Sequence, residues 1–198
     1  MRRASKKFWL LVSAVVAIAA LTMQGGWGAS GPKRVNELTL AGLQPGKDAV
    51  EKADVRFGAE LKTKTPDDSN SYSWHPGCPM DDLIIEVGAN GLIRNITVAI
   101  SHLTDHMTVD CSDRGVSRKF RSRTGSGRNL LLRDRCGRIE EIYGKAESRS
   151  PSVKGSDKLE LYLYTFDWAG PDVPQVMEVS CDAATQTVTE ITLAASSL

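Results

Sequence analysis

Asp48-Ala49-Val50-Glu51-Lys52-Ala53-Asp54-Val55-Arg56-Phe57-Gly58 and Asp134-Arg135-Cys136-Gly137-Arg138-Ile139-Glu140-Glu141-Ile142-Tyr143-Gly144 read as one phrase written twice. With the two glycines superposed, Val50, Ala53 and Phe57 fall on Cys136, Ile139 and Tyr143. Spacings of three and four put each trio on one face of a helix. The glycine after the last periodic residue is a helix stop, because it enters the left-handed region at low steric cost. The phrase predicts two amphipathic helices in a chain made of two copies of one small unit.

Strand signals follow each helix. In the first copy Tyr72 and Trp74 alternate over 70–75, Leu83 to Val87 is a strand, Ala89-Asn90-Gly91 a hairpin turn and Leu92 to Ile100 the return strand. Leu83, Ile85 and Val87 share a face with Ile96, Val98 and Ile100. In the second copy Leu159 to Trp168, Val176 to Cys181 and Thr187 to Ala194 repeat the order. The expected fold class is therefore α+β, with two tandem repeats over 31–110 and 127–198. Each is a helix followed by a three-stranded antiparallel sheet, with the helices packed on one sheet face. Residues 111–126, rich in Ser, Gly and Arg, read as a basic linker.

Residues 1–30 stand apart. Arg2, Arg3, Lys6 and Lys7 precede the apolar run Phe8 to Leu21, and Gly28-Ala29-Ser30 offers small residues for cleavage. That is the pattern of a secretory signal peptide, and the run is shorter than the ~20 residues of a spanning helix. The expected location is secreted or periplasmic. Without those residues the chain has 21 basic and 24 acidic residues, a net charge of −3. This disfavours nucleic acid as a partner, since a basic domain is the expected footprint there. About 168 residues suffice for one domain, whereas half that length buries little, so the copies should share a core or a sheet.

Cys78, Cys111, Cys136 and Cys181 form an even set in an exported chain, which favours disulfides, and no Cys-x-x-Cys marks a redox or zinc motif. Cys136 lies on the buried helix trio, and Cys181 shares strand parity with Met177 and Val179. The pairing read from this is Cys136–Cys181 and Cys78–Cys111, one of the three connectivities that four cysteines allow. In the first copy the corresponding pair is Val50 and Ala89, expected to close the same contact by packing.

Catalytic motifs are missing. There is no Gly-x-Ser-x-Gly elbow, no Gly-rich phosphate loop, and the acid pairs Asp67-Asp68 and Asp81-Asp82 point to opposite faces of any strand they join. His102 and His106 are four apart but leave a strand for a linker with no third ligand, so a solvated loop is the reading rather than a metal site. No enzyme activity, cofactor or metal is expected. Two surfaces remain as candidate sites. Leu159, Leu161 and Leu163 are assigned to the helix-packed face, which leaves Tyr162, Tyr164, Phe166 and Trp168 on the other, with Tyr72 and Trp74 extending the stripe. Such a stripe is either a partner surface, for which Tyr and Trp are favoured, or core covered by loops or by the other copy. The second surface is the basic run, nine Lys/Arg against two Asp from Ser112 to Arg138. Within it Arg118, Lys119, Arg121 and Arg123 would contact an anionic surface such as lipid head groups.

Gly42-Leu43-Gln44-Pro45-Gly46, a helix ending in Phe57-Gly58 and a strand ladder resemble the SmpA/OmlA type of outer-membrane assembly lipoprotein (BamE). They also resemble the tandem β-lactamase inhibitor proteins built from similar units. The resemblance implies helices on one side of an antiparallel sheet and a role in binding proteins rather than turning over substrates. The lipoprotein's single copy and acylated Cys have no counterpart here. The function expected is an exported, monomeric, non-catalytic protein-binding module using the aromatic face. The alternative is an envelope-assembly component touching a membrane surface through the basic run.

Overall fold

The two aromatic-glycine phrases fold as short helices, α1 at Glu51–Phe57 and α2 at Gly137–Tyr143. Each stops at its glycine, Gly58 with φ 97° and Gly144 with φ 78°. Two turns of helix are marginal alone, so packing holds them. Both trios are buried: Val50, Ala53 and Phe57 under α1, Cys136, Ile139 and Tyr143 under α2. Both helices are also seated by the same device. The Asp48 carbonyl accepts from Ile93 N at 2.8 Å, and the Asp134 carbonyl from Val188 N at 2.8 Å. The carboxylates of the same residues accept from Gln44 N and Leu131 N. A single aspartate in each phrase thus ties the entry of a helix to a strand.

The computed structural model describes residues 36–64, 70–74, 81–100, 123–167 and 174–195, all within the compact unit Arg34–Leu198. After α1 and a 3₁₀ turn come β1 (Lys62–Lys64), β2 (Ser71–Trp74), β3 (Asp81–Val87) and β4 (Ile93–Ile100). After α2 come β5 (Ser148–Lys154), β6 (Asp157–Asp167), β7 (Pro174–Asp182) and β8 (Thr187–Ala195). All pair antiparallel in one eight-stranded sheet of order β1-β2-β3-β4-β8-β7-β6-β5. The centre is the β4–β8 ladder, from Asn95 opposite Ala194 to Ala99 opposite Glu190.

This overturns the expected fold class. Among the described residues the molecule is mainly β, a single eight-stranded sheet with two short helices, and not two tandem units of a helix and three strands. The strands that sequence reading missed are the two edges. β1 is Lys-Thr-Lys and β5 is Ser-Arg-Ser-Pro-Ser-Val-Lys. An edge strand needs no apolar alternation, and lysine and proline there discourage further pairing. The linker assignment also fails at its end: Thr124 and Ser126 are buried, and Ala41 N donates to the Gly125 carbonyl at 2.9 Å.

Cys136 and Cys181 are joined by a disulfide with their Cα atoms 6.0 Å apart, linking the start of α2 to β7. Cys78 and Cys111 lie outside the described residues. The proposed counterpart of this contact in the first half is wrong. Val50 is buried, but Ala89 is exposed in the β3–β4 turn. A register shift between Glu86 and Val87 carries the chain out of the ladder before it reaches that position.

Across a sequence separation of 45 residues, the loop-entropy estimate for this bond is about 4 kcal/mol. Replacing Cys136 and Cys181 together by Ala should therefore lower the urea-unfolding free energy by ~2–4 kcal/mol. A loss under ~1 kcal/mol would count against a bond formed in the folded protein.

Candidate functional site

Side chains directly opposite in an antiparallel ladder share a face. Tyr162 is opposite Val179, Tyr164 opposite Met177 and Phe166 opposite Gln175. The aromatics of β6 therefore lie on the face of Met177 and Val179, beneath α2. Tyr162, Tyr164 and Phe166 are buried at 4, 0 and 1% exposure. Tyr143 of α2 lies 5.7 Å from the Tyr164 ring and 6.1 Å from the Phe166 ring. Trp74 is fully buried and donates its Nε1–H to the Gly58 carbonyl at 3.1 Å. Tyr72 is half-buried against the same core, with Lys62 Nζ 4.4 Å above its ring. Trp168 lies outside the described residues. Trp74, Tyr162, Tyr164 and Phe166 are thus core and Tyr72 packs against it, which corrects their assignment as a partner surface. The leucines and the aromatics of β6 alternate equally well, so alternation alone left the choice of face open. The aromatic set is the one that packs against Tyr143 of α2.

Below this cluster lies a polar network that the sequence did not announce. Glu37 is 3% exposed. Its carboxylate accepts from the backbone N–H groups of Leu38, Thr39 and Arg128 and from the Tyr143 hydroxyl at 2.7 Å. Since the Tyr143 proton goes to Glu37, the Ser126 hydroxyl donates to the Tyr143 oxygen at 2.7 Å while accepting from Leu130 N. A β-carbon on Gly127 would stand 2.6 Å from Glu37 Oε1, so this glycine leaves room for the carboxylate. Burial, and next the neighbouring Glu37 charge, push the Tyr143 hydroxyl well above the usual tyrosine range. Every group is paired, and the network is a structural clasp between residues 36–39, 126–130 and α2. Gly125-Ser126-Gly127 was its visible trace in the sequence.

The second predicted surface is reached in one residue. Arg123 donates from Nη1 to the Arg56 carbonyl at 2.9 Å, which ties it to the end of α1. Arg118, Lys119 and Arg121 lie outside the described residues, as do His102 and His106. No cluster of three metal-ligating side chains occurs among the described residues.

The two helices and the segments around Leu40, Leu43, Leu130 and Leu132 share one core with the inward strand residues. The opposite sheet face carries none of them. Register arranges it in unbroken ranks. The central one runs Ser73, Ile84, Thr97, Thr192, Glu178, Leu163 and Ser148 across seven strands. On one side of it run Ser71, Glu86, Asn95, Ala194, Val176 and Thr165; on the other Asp82, Ala99, Glu190, Ser180, Leu161 and Ser150. Thr97 and Thr192 share a hydrogen bond of 3.0 Å at the middle. The side-chain Oδ1 of Asn95 is buried with no hydrogen-bond partner among the described residues. Leu161 and Leu163, assigned by sequence to the helix side, stand here half-buried. Such a face offers hydroxyls, carboxylates and aliphatic groups on paired strands.

No family model matches this chain, and no curated protein matches it. A crystal structure of a DUF4309 family protein, YjgB from Bacillus subtilis, is similar at 13% identity and a TM-score of 0.46, covering 80% of this chain and 87% of that one. That degree of likeness decides neither fold nor function for this chain.

The raised Tyr143 has a consequence for alkaline stability. Its folded form holds the proton where the unfolded chain releases it near pH 10, so the stabilisation is complete below about pH 10 and is lost above it. The fall should approach ~1.4 kcal/mol per pH unit for this group. Tyr143→Phe should lower stability at pH 7 by ~1–3 kcal/mol, since Glu37 loses a donor, and should flatten the decline above pH 10. Urea midpoints from pH 7 to 12 check both; an unchanged alkaline slope would contradict the assignment.

Proposed function

We propose that the protein is an exported, non-catalytic binding module that engages a protein partner through the sheet face opposite α1 and α2, which is helix-free among the described residues. One observation carries this reading. With both described helices and Trp74, Tyr162, Tyr164 and Phe166 committed to a single core, the opposite face is a continuous array of hydroxyl, carboxylate and aliphatic side chains across seven strands. Partner surfaces of this kind need flatness, rigidity and mixed polarity more than bulk hydrophobicity. Export is supported by the basic-then-apolar pattern of residues 1–30 and is in keeping with the Cys136–Cys181 bond, which suits an oxidising compartment.

A photo-crosslinking residue placed at Thr97 or Leu163, both on the face, should yield adducts with a partner in the native envelope or culture medium. The same residue at Val55, exposed at 89% on α1, should yield none. Adducts from Val55 alone, or from no position, would overturn the reading.

A further inference from the structure

The helix-free face has a sign. Its three ranks hold Asp82, Glu86, Glu178 and Glu190 and no lysine or arginine. From the edge strand Lys154 reaches Glu190 at 2.7 Å. Glu86 and Glu178 have no ion pair among the described residues. They stand on β3 and β7, separated by β4 and β8, which places them about 14 Å apart across the strands. Asn95, Thr97, Ala194 and Thr192 lie between them; Ile84 stands two residues from Glu86 on β3, Val176 two residues from Glu178 on β7, and Leu163 opposite Glu178 on β6.

Resting on the reading of this face as the contact surface, we propose that the partner's docking segment is cationic, an extended stretch carrying lysine or arginine side chains. Two features argue for this occupant. The first is charge complementarity: Glu86 and Glu178, which have no ion pair among the described residues, attract a basic segment and penalise an acidic one. The second is the pattern of apolar and acidic groups. Lysine and arginine present an aliphatic stem and a charged head, so stems lie along Ile84, Leu163 and Val176 while heads reach Glu86 and Glu178.

Decalysine and decaglutamate serve as probes for titration calorimetry with the exported protein. Decalysine should bind, with affinity falling at least tenfold between 50 and 300 mM NaCl, and decaglutamate should not. The double variant Glu86→Gln, Glu178→Gln should weaken decalysine at least tenfold, while Glu51→Gln, Glu141→Gln, two exposed carboxylates on the helices, should leave it within twofold. Equal loss from both pairs would mean general attraction to an acidic protein and would overturn the proposal, as would no loss from the first pair. The crosslinking at Thr97 and Leu163 separates the two levels. Adducts that persist undiminished in Glu86→Gln, Glu178→Gln keep the face as a contact surface and end the cationic partner; no adducts in the unaltered protein end both.

Discussion

The register of β6 on β7 is the constraint from which the rest follows. Tyr164 opposite Met177 and Phe166 opposite Gln175 commit the aromatics to the face beneath α2. There Tyr164 and Phe166 stack with centroids 6.0 Å apart and take Tyr143 against them. A tyrosine so deeply buried must place its hydroxyl, because an unpaired buried polar group costs ~1–3 kcal/mol. Glu37 and Ser126 meet that demand, and in doing so they draw residues 36–43 and 124–133 over the core. The Tyr164 hydroxyl is met in the same way by the Gly144 carbonyl at 2.9 Å, beside the end of α2. One ladder register thus decides the covering of the sheet, the position of the amino-terminal segment and the burial of a carboxylate without a cation beside it.

The same arrangement protects the edges. At one end Lys62 of β1 sits over Tyr72 and pairs with Asp54 of α1 at 3.0 Å. At the other Arg149 of β5 sits 4.6 Å over Tyr162 and grips Glu160 through two nitrogens. The Arg149 hydrogen bonds hold the Glu160 carboxyl below the usual range, while burial and then Glu160 raise the Tyr162 hydroxyl. In each case a cation on a polar edge strand closes over an aromatic of its neighbour and blunts an otherwise open ladder. Arg133 adds a tie between the halves, pairing with Asp81, which is 2% exposed.

Much of the core was legible. The trios of α1 and α2, the glycine stops, the inward residues Leu83, Ile85, Ile96 and Val98, and the shared orientation of Cys136 and Cys181 all follow from spacing alone. What spacing left undecided was the face of β6, because Leu159 to Leu163 and Tyr162 to Phe166 are both apolar sets. Choosing the aliphatic set as core exchanged the two sides of the sheet and with them the candidate site. Edge strands escaped for a different reason: Lys62–Lys64 and Ser148–Lys154 have no apolar alternation to read. Glu37 escaped because a lone acid in a polar stretch carries no periodic signal, and its distant partners Arg128 and Tyr143 are 91 and 106 residues away. The helix-free face is the least legible feature. Its ranks assemble residues from up to seven strands, and only the registers bring them together.

The central claim is that the aromatic residues of β6 are structure and not contact surface. Urea unfolding of Phe166→Ala tests it most directly, since this ring is 1% exposed and has no polar atom to complicate the loss. The account predicts a destabilisation of about 3–5 kcal/mol, the cost of emptying an aromatic site in a packed core. A variant that unfolds within ~1 kcal/mol of the unaltered protein would place Phe166 on the surface and return the aromatic face to the outside of the molecule.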